Sequence, residues 1–249
     1  MTAAEWKNRL RCAPLAALRD VVTPGGVLVI APHPDDESLG CGGLIAQCAA
    51  EGLAVGVAVL TDGAASHPDS VLFPPARLTA LREEETRLSL NVLGLGPANA
   101  RFLGHPDGHL SMTDLGETEA SLADWVLDAG FRTLLVTAAA DPHPDHRAAH
   151  ALALRLTRRL RRLGRELSLY AYPIWAWTLP PDAHVPMTDA DRPVRLDIRA
   201  EIHLKRRAVF AHQTQVSALI SDDPLGFRLS PEHLSLFVRE HETFIKEGG

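Results

Sequence analysis

Short apolar runs rich in β-branched residues alternate along the chain with longer stretches in which apolar residues return every three or four positions. The runs predict strands at Val27–Ala31, Ala54–Leu60, Ala100–Leu103, Thr133–Thr137 and Leu167–Tyr172. The longer stretches predict helices at about Leu39–Glu51, Ala76–Leu93, Thr113–Ala129 and Asp145–Leu163. Gly52, Gly94, Gly130 and Gly164 stand where left-handed C-caps belong. Strands and helices alternating in this way build a mostly parallel sheet covered on both faces, a Rossmann-like three-layer αβα sandwich.

After the fifth strand the pattern loosens. Leu179–Pro193 carries four prolines and reads as an excursion that returns through a strand at Val194–Ile198. A helix over about Glu201–Gln215 follows, and a second over Pro231–Ile245 is opened by Ser230 as N-cap with proline at the first helical position. No linker interrupts the pattern, so residues 1–249 are expected to form one domain, with about 179–249 supplying loops and helices to a pocket rim.

Composition narrows the functional classes. A net charge of -6 offers no basic face for nucleic acid, and the cluster Arg158 to Arg165 reads as the solvated end of a helix. Cys12, Cys41 and Cys48 lack CxxC spacing, which speaks against a disulfide framework and for a reducing, cytoplasmic setting. The first twenty residues follow an amphipathic helical pattern without a continuous apolar stretch, and nothing later approaches a transmembrane segment. A homo-oligomer is compatible with this composition.

The tripeptide His-Pro-Asp occurs four times, starting at His33, His67, His105 and His143. Proline followed by a small polar residue suits the turn after a strand, which explains a lone copy. Two copies carry more. Pro32-His33-Pro34-Asp35-Asp36-Glu37 leaves the end of the first predicted strand, and Asp141-Pro142-His143-Pro144-Asp145-His146 leaves the end of the fourth. Ligands bind at the carboxyl edge of an open α/β sheet, and carboxylates crowded there repel unless a cation or proton compensates them. His33 and Asp36 can converge on one ion, and His146 would complete a three-ligand site with a position left for water. Zinc is the expected metal, with another divalent ion possible. Leu39-Gly40-Cys41-Gly42-Gly43 departs from a dinucleotide fingerprint, so its glycines are expected to serve close packing.

These two clusters resemble the PIG-L/LmbE family of zinc-dependent N-deacetylases. Further motifs extend the resemblance: Thr61-Asp62-Gly63, Arg82-x-x-Glu85, Leu93-Gly94, Pro106-Asp107-Gly108 and Lys205-x-x-Ala208-x-x-x-His212-x-Thr214-Gln215. Thr214 and Ser89 stand where the family commonly has Ser and Ala, and Trp175 to Pro193 matches no family motif. The resemblance implies that His33, Asp36 and His146 hold zinc and that Asp35 is the general base in hydrolysis of an N-acyl group. The substrate it implies is a small N-acetylglucosamine-type amino sugar or conjugate.

Further roles follow as expectations. His143 would act as acid or oxyanion stabiliser, with Asp145 holding and charging its ring. Arg82 would pair with Glu85 and reach the substrate, and Asp107 would contact a sugar hydroxyl. Glu37 and Asp62 would order the metal ligands, and His150 would pack behind them. Trp175 and Trp177 would share a face if extended. The rival readings are an amidase acting on a thiol conjugate or other amide, a non-catalytic sugar-binding relative, and a phosphoesterase.

Overall fold

The computed structural model describes residues 1–187 and 191–247, organised on one eight-stranded sheet. Helix α1 (Ala3–Arg11), strand β1 (Leu15–Ala16) and helix α2 (Leu18–Val21) come first. The alternating part follows as β2 (Val27–Ala31), α3 (Asp36–Ala50), β3 (Val55–Thr61), α4 (Pro75–Val92), β4 (Ala100–His105), α5 (Gly116–Ala129), β5 (Thr133–Thr137), α6 (Pro144–Arg162) and β6 (Ser168–Tyr172). Beyond it lie β7 (Arg192–Asp197), α7 (Ile202–Val209), α8 (Gln213–Val216), α9 (Pro231–Phe237) and β8 (His241–Lys246). The strand order is β1-β7-β8-β6-β5-β2-β3-β4, and every pairing is parallel except those of β8 with β6 and β7.

All five residues of β2 are buried because both faces of the sheet are covered. Val27, Val29 and Ala31 join a core with Leu44 and Ile45 of α3 and Val209 of α7. Leu28 and Ile30 face the opposite core with Val126 of α5 and Leu152 and Leu156 of α6. The three-layer sandwich expected from the sequence is thus the observed one. The glycines of α3 serve close packing, as expected: a Cβ on Gly40 would fall 2.2 Å from the Tyr172 ring, and one on Gly43 would fall 2.5 Å from Ile198.

Three expectations need correction. The tail predicted as a helix over Pro231–Ile245 is helical only to Phe237; His241–Lys246 forms β8, wedged antiparallel between β6 and β7. Glu242 and Phe244 point inward from β8, and a buried charge at one of those positions hides the alternation that would mark a strand. The helix predicted over Glu201–Gln215 is broken into α7 and α8. Trp175–Thr178 is a 3₁₀ turn, not extended chain, so the two tryptophans part company. Trp175 faces a cavity, whereas Trp177 packs against Trp6 of α1. Of the predicted excursion, residues 188–190 lie outside the described residues.

From β2 the chain steps outward through β3 to β4 on one side, and from β5 to β6 on the other. The order reverses between β2 and β5, which opens a crevice at the carboxyl ends of these strands. Among the described residues no helix is long and apolar enough to cross a membrane.

Candidate metal centre and catalytic pocket

Three donor atoms meet at the crevice. Asp36 Oδ2 lies 3.2 Å from His33 Nδ1 and 3.2 Å from His146 Nε2, and the two ring nitrogens are 3.1 Å apart. A tetrahedral ion with bonds of about 2.0–2.1 Å keeps its donors roughly 3.3 Å apart, so this triangle fits zinc. Two imidazole nitrogens facing each other across a buried carboxylate also need a cation or protons between them. Accordingly Asp36 titrates well below the usual carboxylate range: burial opposes its charge, but His146 and His33 more than offset it. Burial likewise disfavours the charged form of His146, yet Asp36 and Asp141 raise its pKa to about 9.

Each histidine is backed by a carboxylate on its far nitrogen, as is common for metal-ligating imidazoles. His33 Nε2 is 3.1 Å from Asp107 Oδ1 and 3.4 Å from Asp145 Oδ2. His146 Nδ1 is 3.3 Å from Asp141 Oδ1. The other oxygen of Asp141 accepts from the backbone N–H groups of Ile174, Trp175 and Ala176. Sequence reasoning gave Asp141 no role, although it opens the second cluster. Burial raises the pKa of Asp107, but contact with His33 prevails and brings it to about 2.

Asp35 is the N-cap of α3 and, at φ 127, the one non-glycine residue with positive φ among the described residues. Such a conformation costs about 1–3 kcal/mol and persists only where neighbours fix it. Glu37 Oε2 accepts from Asp35 N at 3.0 Å, and His212 Nε2 lies 3.1 Å from Glu37 Oε1. Arg82 donates to Pro34 O at 2.6 Å and Gly63 O at 2.8 Å, with Nη2 3.5 Å from Asp35 Oδ2. Burial pushes the Asp35 carboxyl up to about 7 against the pull of Arg82. Glu37 thus orders Asp35, and not the His33, Asp36 and His146 donors it was expected to order.

Asp62 Oδ1 accepts from the backbone N–H groups of Ala64 and Asp107 and so orders the neighbouring loop. His150 Nδ1 bonds Thr137 O behind the site. The expected Arg82–Glu85 pair is replaced by another arrangement: Glu85 accepts from Thr214 N at 2.8 Å and from Thr214 Oγ1 at 2.6 Å, tying α4 to α8. Arg82 instead fixes the backbone around Asp35.

The expected Asp145–His143 arrangement is also corrected. The Asp145 carboxylate accepts from Gly108 N and Leu110 N and faces His33. Its backbone N–H donates to His143 Nδ1 at 3.2 Å, which leaves the ring proton on Nε2. Burial, followed by His33 and His146, lowers His143 to about 4, so its ring is neutral near pH 7.

A cavity of about 260 Å³ opens over these groups, lined by His33, Asp35, Asp36, Arg82, Asp107 and His143 and also by Trp175, Gln215 and Phe227. No local signal marks Phe227, which lies in an irregular stretch.

The chain is similar to proteins already known. The PIG-L family model, described as GlcNAc-PI de-N-acetylase, matches residues 28–157, just over half of the chain. 2'-N-acetylparomamine deacetylase of Streptomyces fradiae is 32% identical over 151 residues, covering 55% of this chain and 54% of that protein. 1D-myo-inositol 2-acetamido-2-deoxy-alpha-D-glucopyranoside deacetylase of Actinosynnema mirum is 28% identical over 245 residues, covering 79% and 83% respectively. Among solved structures, N,N'-diacetylchitobiose deacetylase of Pyrococcus horikoshii superposes with a TM-score of 0.66 at 22% identity, covering 98% of this chain and 92% of that one. The family match spans both clusters that form the donor triangle, and the chain belongs to the PIG-L family of deacetylases.

Proposed function

We propose that the protein is a zinc-dependent hydrolase that removes an N-acyl group, acetyl above all, from an N-acetylglucosamine-type amino sugar or its conjugate. The observation that carries this reading is the donor triangle of His33, Asp36 and His146, two of whose members, His33 and Asp36, line a cavity that also presents Asp35 and His143. The substrate class is supported by the names of the relatives, which act on acetylated amino sugars.

His33, Asp36 and His146 would hold the ion. Bound zinc supplies Lewis acidity for the amide carbonyl and lowers the pKa of water to about 7. Asp35 accepts the proton of the attacking water at its carboxylate, held in place through its backbone by Glu37 and Arg82. The neutral His143 ring donates its Nε2–H to the carbonyl oxygen as negative charge develops there. This is a hydrogen-bonding role, since a ring with a pKa of about 4 is a poor reservoir of protons near pH 7. Asp35, once protonated, is then placed to return that proton to the departing amine. Asp107 and Asp145 orient His33, and Asp141 orients His146.

The test is amine release, followed with fluorescamine, from N-acetylglucosamine, a glycoside of it and an acylated thiol conjugate. Release from the sugars supports the reading. Release from the thiol conjugate alone would move the protein to the amidase alternative, and release from none would remove the hydrolase assignment.

A further inference from the structure

Two aromatic side chains line the cavity that holds His33 and Asp36. Trp175 and Phe227 meet there edge to face, with ring centroids 5.6 Å apart at 90°. Both rings are held by their backbones. Trp175 N donates to Asp141 Oδ2 at 2.8 Å, the carboxylate that also faces the metal ligand His146, so the wall and the donor triangle share one support. Phe227 N donates to Ser66 O at 2.7 Å, and the adjoining Gly226 lies against the His67 ring so closely that a Cβ there would fall 2.2 Å from it.

The two loops concerned are further clasped by Asp222, which accepts from Ser70 Oγ, Val71 N and Leu72 N, each at 2.8 Å. Asp223 accepts from Asp69 N. A loop fastened by so many bonds keeps its outward residues where they stand, and those residues are apolar: Leu225 is 92% exposed, Val71 85% and Phe227 38%. Arg82, the cation of the cavity lining, is committed to Gly63 O, Pro34 O and the neighbouring Asp35 carboxylate. A clasped loop that holds Phe227 in the cavity lining and its apolar neighbours in water marks a surface that a ligand covers.

We infer that Trp175 and Phe227 form a second subsite, beyond the reacting amide, for an uncharged apolar substituent carried by the amino sugar. This rests on the deacetylase reading and narrows its substrate class to amino sugars with an apolar aglycone. Such a group packs on the aromatic wall while the acetamido group lies at the triangle, and the hydroxyls of the sugar face Asp107 and Gln215.

The experiment compares calorimetric dissociation constants of benzyl and methyl 2-acetamido-2-deoxy-glucopyranoside, of the same anomeric form, for zinc-loaded protein carrying Asp35→Asn so that neither is consumed. The benzyl glycoside is expected to bind roughly tenfold more tightly. Phe227→Ala added to this background should reduce the ratio to about one, and Phe227→Tyr should keep most of it. A ratio near one at the outset, a ratio untouched by Phe227→Ala, or no binding of either glycoside overturns the subsite. Amine release by the native enzyme is read separately, so loss of the subsite and loss of the deacetylase reading remain distinct results.

Discussion

The buried pair between Lys205 of α7 and Glu242 of β8 offers a test of how the late part of the chain is fastened to the sheet. Lys205 Nζ lies 2.6 Å from Glu242 Oε1, and both side chains are buried. Glu242 also accepts from Gly43 N at 2.7 Å and Leu44 N at 2.8 Å, reaching into the glycine-rich face of α3. Lys205→Met fills nearly the same volume but strands the carboxylate with two amide donors and no counter-charge. Breaking a buried pair from one side costs about 3–5 kcal/mol, much of it from the uncompensated ion. For a chain of this size each kcal/mol lowers Tm by roughly 2–4 °C, so a fall on the order of 10 °C is expected. Adding Glu242→Gln should recover part of that loss, because the charge is gone and the one amide oxygen still accepts from α3, while the amide NH2 comes to face the other backbone N–H. The assay is thermal unfolding followed by circular dichroism with a chelator present, so that metal binding does not mask the change. A fall below about 2 °C in Lys205→Met, or a double variant worse than either single one, would refute the reasoning.

Three further outcomes are expected. Gly63→Ala would force a left-handed residue (φ 65) to carry a Cβ 2.5 Å from Arg82 Nη1, displacing the group that fixes Asp35. Its kcat should fall roughly 10–100-fold with zinc content unchanged, measured by metal analysis beside turnover. Asp141→Asn removes the carboxylate behind His146, and zinc affinity measured by chelator competition should weaken roughly 10–100-fold. Cys12 is exposed whereas Cys41 and Cys48 are buried, with burial raising Cys48 to about 12; a thiol reagent should therefore label one cysteine in the native protein and three after denaturation.

Most of the sheet was legible because its strands are short apolar runs buried on both faces, and those runs need no context to recognise. The donor triangle was legible for a related reason: His33 and Asp36 closely follow the end of β2, and His146 lies in the first turn of the helix that follows β5, so both clusters come to one edge of the sheet. What escaped depends on distant partners. The helix α3 begins at Asp36 and not at Leu39 because Asp35 adopts a positive φ that Glu37 and Arg82 support, and nothing in the local sequence marks an aspartate for that conformation. Strand β8 was hidden because Glu242 reads as an exposed charge until Lys205 is placed beside it. Asp145 was assigned to His143 by its nearness in sequence, whereas the fold turns its carboxylate toward His33 and leaves only its backbone N–H for His143.

In the proposed reaction a metal held by His33, Asp36 and His146 and a base at Asp35 act together on an acylated amino sugar. Zinc content and fluorescamine-detected amine release from an N-acetylglucosamine glycoside, measured together on native protein, Asp35→Ala and His146→Ala, test it most directly. Native protein is expected to carry about one zinc per chain and to turn the glycoside over. Asp35→Ala should retain the metal and lose turnover, and His146→Ala should lose both. Turnover in metal-free native protein, or an Asp35→Ala variant as active as the native one, would contradict it.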